Sequence, residues 1–109
     1  MKLEVIFDEE KIKSEGKYTV NQIIKKWDEL FDKNNIYIKD ESGNFIGDDK
    51  ENFEDFAKII IAIKDIDWFR NYAKECYWWI DGTIEDVLLS IKLHETGYYS
   101  RKEKKSLLI

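Results

Sequence analysis

The 109-residue chain predicts an α+β domain, about four helices packed on a small antiparallel sheet. Three observations lead there. Residues 2–7 alternate apolar and polar side chains, the period of a half-buried strand. Three longer segments repeat their apolar residues at the spacing of a helical face. Between the first two of these lies a β-forming stretch broken by a glycine-containing loop, the pattern of a hairpin. The length suits one domain with one core.

In KLEVIF, Leu3, Val5 and Phe7 share one side of the opening strand. The charged run from Asp8 to Lys17 follows and is expected to turn at Gly16. Thr19 then opens a helix over residues 20–33. Its hydroxyl can accept an orphan backbone N–H, and Gln22 completes a capping box. Val20, Ile23, Ile24, Trp27, Leu30 and Phe31 form the apolar stripe, and Asn34 and Asn35 suit the stop. Ile36–Ile38 and Asn44–Ile46 are expected to pair as a hairpin over residues 36–46, lying beside the first strand.

A second helix is expected to start at Asp48 or Asp49 and to run to residue 64, with Glu51 in its capping position. Phe53, Phe56, Ala57, Ile60 and Ile61 give its period, and Ile59, Ala62 and Ile63 broaden it, so it is the expected core helix. A third helix runs from Trp68 through Cys76. Whether Tyr77, Trp78 and Trp79 continue it or extend as a strand stays open, because the period is ambiguous there. Thr83, with Asp86 three residues on, is expected to cap a fourth helix with Ile84, Val87, Leu88 and Ile91 inside and Gly97 as terminator. Residues 1–97 thus form one domain, and 98–109 form a tail that carries Arg101, Lys102, Lys104 and Lys105.

Charge narrows the functional classes. Residues 28–86 hold sixteen Asp and Glu against seven Lys and Arg, whereas the last twelve residues are net basic. An acidic body repels phosphate backbones, which argues against nucleic acid and favours a basic protein partner. No apolar run reaches the ~18 residues of a membrane span. The N-terminus lacks the pattern of a signal peptide. One cysteine rules out an internal disulfide framework, so a cytoplasmic setting is expected.

No cofactor motif is recognisable, and one Cys with one His cannot make a zinc site. The acidic residues Asp48, Asp49, Glu51, Glu54 and Asp55 lack the ligand order of a calcium loop; capping and solvation account for them, or a basic partner does. Cys76 reads as a buried hydrophobe, and His94 as a side chain suited to a helix C-terminus. A small enzyme built on Cys76 or His94 is therefore the weakest of three classes. The segment WFRNYAKECYWWID is richer. Core packing explains most of its aromatics, but one helical face cannot hide all of them. At least one of Trp78 and Trp79 is expected at the surface, in a protein-binding patch ringed by Asp67, Glu75 and Asp81, since Trp and Tyr dominate interface hot spots.

FDEEKI, YTVNQIIKKWDELF, GDDKENFEDFAKII, DWF and the Trp-rich segment before EDVL together resemble small uncharacterised proteins associated with mobile elements of Gram-positive bacteria. The resemblance reaches to Leu88, and the basic tail lies outside it. It implies a genomic setting and no catalytic residue. The acidic charge and the aromatics give the leading expectation, a non-enzymatic acidic binding module, and the resemblance implies an accessory or anti-defence role for it. It would act as an inhibitor of a nucleic-acid-handling host protein, of anti-CRISPR or other anti-defence type, or as a toxin-neutralising immunity protein. The second class is a homodimeric assembly module that uses the aromatic patch.

Overall fold

The opening alternation becomes a strand, β1 (Lys2–Phe7), with Leu3 fully buried. The computed structural model describes residues 1–95. The charged run after β1 turns at Gly16 as expected, but the residues before it form a helix, α1 (Glu9–Glu15), that the sequence did not show. Its signals are local. The Asp8 carboxylate accepts from Lys11 N–H, and Gly16 closes the last turn in the left-handed region at φ 67°. A single residue, Ile12, buries its inner side, so its apolar period is too thin to read.

The next helix, α2 (Val20–Asp32), keeps the capping box. Thr19 Oγ1 accepts from Gln22 N–H at 3.1 Å, and Gln22 Oε1 accepts from Thr19 N–H at 2.9 Å. Ile23, Trp27 and Phe31 are buried along it, and Asn35 takes the left-handed conformation just beyond it.

The 36–46 hairpin survives in reduced form. Its second arm is β2 (Phe45–Ile46), and its first contributes one bridge, Lys39 to Phe45. The Asp40 carboxylate ties the intervening loop by accepting from Ser42 and Asn44 N–H. The core helix α3 (Phe53–Ile63) begins later than expected. Asp48 caps the turn before it, accepting from Lys50 and Glu51 N–H, and Asn52 is the residue that precedes α3. Glu51 therefore stands in that turn and outside the helix. Phe56, Ile59, Ile60 and Ile63 are buried, as a core helix requires.

The largest departure lies in the Trp-rich segment. The third helix stops early as α4 (Asp67–Tyr72), and the chain passes directly into β3 (Ala73–Ile80). A turn at Asp81 and Gly82, both at positive φ, leads to β4 (Thr83–Asp86). Thr83 thus caps no helix; its hydroxyl donates to Ile80 O in the turn. The following helix, α5 (Val87–Glu95), is capped by Asp86, which accepts from Leu89 N–H. Ile84, expected inside, lies on β4 and is exposed. Gly97, the basic tail 98–109 and the His94 side chain lie outside the described residues.

The sheet runs β2-β1-β3-β4, antiparallel at every step. With five helices among the described residues, the fold is α+β. Leu3, Cys76 and Trp78 meet the apolar faces of α2, α3, α4 and α5 in one core, which Phe7 links to a smaller cluster of Ile12, Ile23 and Tyr72.

Candidate functional site: the open face of the sheet

Alternation that points Leu3, Cys76 and Trp78 inward points their neighbours outward. Register aligns Lys2 with Trp79, Glu4 with Tyr77 and Ile6 with Glu75; across the next ladder Tyr77 faces Asp86 and Trp79 faces Ile84. This outer face stays open to solvent at Ile6 (52% exposed), Trp79 (39%) and Ile84 (54%). On a two-layer α+β domain such a face is ordinarily polar, so three large apolar side chains on it are unusual.

Charged groups thread between the apolar ones. Lys2 Nζ sits 4.8 Å above the Trp79 ring and 3.8 Å from Glu4 Oε1. The Tyr77 hydroxyl donates to Glu75 Oε1 at 3.2 Å. That hydrogen bond and the Glu75 charge push the phenol above its ordinary range, with further contributions from burial, Asp86 and Glu4. Three carboxylates, Glu4, Glu75 and Asp86, thus surround one aromatic ring, a field that favours a cationic visitor.

At one end the face opens into a cleft of about 420 Å³ lined by Lys2, Asp49, Trp79, Asp81 and Ile84. Asp49 is fixed there. Its carboxylate lies 2.8 Å from the Met1 ammonium and accepts from Asp81 N–H at 3.2 Å.

The residues expected at a binding surface divide. Asp49 and Trp79 share this cleft. Trp78 does not: it is 9% exposed, its indole N–H points to Met1 Sδ at 3.3 Å, and its ring packs on Phe53. Adjacent strand residues face opposite ways, so only one of the two Trp residues can reach the surface. Asp48 spends its carboxylate on the turn before α3, which holds its pKa below the ordinary range. Glu51 and Glu54 are exposed and Asp55 half-buried at the start of α3. The functional candidates missed from sequence are Glu4, Ile6, Ile84 and Asp86. Reading residues 73–80 as a strand would have joined them to Glu75 and Tyr77, because K-E-C-Y-W-W places alternate residues together.

Cys76 is fully buried, and desolvation pushes its thiol well above the ordinary range, opposite to the thiolate a nucleophile needs. Among the described residues, no group of three or more His, Cys, Asp or Glu is placed to hold a metal ion. None of the described helices is long and apolar enough to cross a membrane. No family model, curated protein or solved structure matches this chain.

Proposed function

We propose that this protein is a non-enzymatic binding module whose open sheet face takes a basic surface of a partner protein. The observation that carries the reading is Trp79, exposed beside Ile84 on the sheet face that also carries the Glu4, Glu75 and Asp86 carboxylates. A large aromatic anchor within a charged rim is the anatomy of an interface hot spot. The carboxylates of Glu51, Glu54 and Asp55 extend the negative field and steer a basic partner. With the resemblance to mobile-element proteins, this supports an inhibitor of a nucleic-acid-handling host protein, or an immunity protein that neutralises a toxin.

The test uses the full chain as bait in the source cell, with Trp79→Ala and Ile84→Lys as paired variants. The expected outcome is a basic partner captured by the parent and lost by both variants at unchanged thermal stability. Capture that ignores both changes would remove the face from the interface. The exposed apolar residues also fit a second copy, so sedimentation of the free chain is part of the test. A dimer broken by Ile84→Lys would favour the assembly reading.

A further inference from the structure

We propose that the second half of β1, Val5–Phe7, accepts an added strand: an extended segment of a partner protein with apolar residues at alternate positions and a basic residue between them. This rests on the binding-module reading and names how the partner is held.

β2 is too short to cover β1. It pairs only at Lys2 with Ile46 and at Leu3 with Phe45, whereas β3 pairs along the whole of β1. Gly47 N–H donates to Met1 O at 3.0 Å, and the Met1 ammonium donates to Gly47 O at 2.6 Å. In an antiparallel ladder alternate residues bond to the same neighbour, so the odd residues of β1 direct their N–H and C=O toward β2. At Val5 and Phe7 these groups face the side where β2 has ended. An unpaired strand edge is a template for another strand. Two of the usual protections are missing on this stretch: Val5, Ile6 and Phe7 include neither proline nor charge. The register shift between Ile6 and Phe7 places its extra residue, Lys74, on β3 and raises the local twist at this end of the sheet, so the guest strand is short.

The surroundings set the guest's pattern. A groove of about 340 Å³ runs along this edge, with Val5, Phe7, Val20, Ile24 and Trp27 as its apolar wall. Ile24 is 43% exposed there, without an apolar cover. A guest residue level with Val5 or Phe7 and facing inward drops its side chain into this groove. The guest residue between them faces outward beside Ile6, diagonal to Glu4 two residues back on β1. A lysine or arginine suits that position. A second copy pairing antiparallel to β1 about Ile6 would instead set Glu4 opposite the other copy's Asp8, and like charges across a ladder destabilise it.

The experiment titrates the isotope-labelled full chain with a blocked pentapeptide of alternating valine and lysine, read by amide shifts and hydrogen exchange. The expected result is saturable shifts and slowed exchange at Val5 and Phe7. A peptide N-methylated at its bonded amides should bind roughly tenfold more weakly or worse, the weight of one or two hydrogen bonds. Ile24→Glu should abolish binding and Trp79→Ala should leave it intact. Equal binding of the N-methylated peptide, no shifts at millimolar peptide, or shifts confined to the Trp79 end would each overturn the added strand. So would a dimer in sedimentation that Ile24→Glu breaks, which would assign the edge to a second copy. The two readings fail separately. Partner capture lost in Trp79→Ala with no peptide effect at Val5 refutes the strand alone. Protection at Val5 and Phe7, with capture indifferent to Trp79 and Ile84, refutes the face alone.

Discussion

Thr19 and Thr83 occupy the same local pattern, a hydroxyl residue with a side-chain hydrogen-bonding group three positions on, yet only Thr19 caps a helix. Thr19→Ala should cost about 1 kcal/mol in urea unfolding, and Asp86→Ala a similar amount, since Asp86 caps α5. Thr83→Ala removes only an exposed turn contact and should stay within about 0.5 kcal/mol. Equal losses at Thr19 and Thr83 would contradict these assignments. Asp40 and Asp48 add a pH dependence. Both accept backbone N–H bonds that hold their carboxyls below the ordinary value of 3.8. A carboxylate depressed in the folded state stabilises the fold above its unfolded value and loses that contribution as pH falls through its folded value. Asp40→Asn with Asp48→Asn should therefore lower the urea midpoint at pH 7 and shrink the further drop between pH 4 and pH 2. An undiminished acid drop would mean that other carboxylates govern it.

At the scale of elements, what was legible in sequence was whatever carried its own period and caps. α2 has both, and α3 has the period, so both were readable. β3 has neither signal. α4 ends at Tyr72 and β3 begins at Ala73 with no glycine or proline to mark the change, and aromatics occupy both faces of the new strand. The open face was hidden for the same reason, because its residues come together only through the β1–β3–β4 register. Two substitutions probe these elements. Ile60→Ala in α3 empties a buried site and should cost about 2–5 kcal/mol. Gly47→Ala should also destabilise, by about 1–3 kcal/mol, because a Cβ there would lie 2.8 Å from the Phe56 ring and 2.9 Å from Asn52 Cβ. Thermal or urea unfolding reads both, and a neutral Gly47→Ala would show that the approach of the β2–α3 connection to α3 is looser than these distances.

At the scale of the molecule, the question is how charge reaches a partner. The chain carries −5 overall, and the carboxylates divide into those that hold the fold and those that are free to act at a distance. Asp40, Asp48, Asp49 and Asp86 belong to the first group, since each accepts backbone N–H bonds. Glu51, Glu54 and Asp55 stand at the entrance of α3, where negative charge also complements the helix dipole. Reversing all three to lysine would therefore disturb α3 as well as the field, and a loss of binding would have two causes. Neutral isosteres separate them. Glu51→Gln, Glu54→Gln and Asp55→Asn together remove three negative charges, taking −5 to −2, and keep side-chain shape. Against a basic partner the association rate should fall several-fold at low salt while dissociation barely changes, because steering acts before contact. The difference between parent and variant should close as salt shortens the screening length toward ~3 Å at 1 M. Surface-plasmon kinetics at two salt concentrations measures this directly. An association rate equal to the parent's at low salt would place steering elsewhere, on Glu4 and Glu75 of the sheet face, whose neutralisation is then the variant that must slow it.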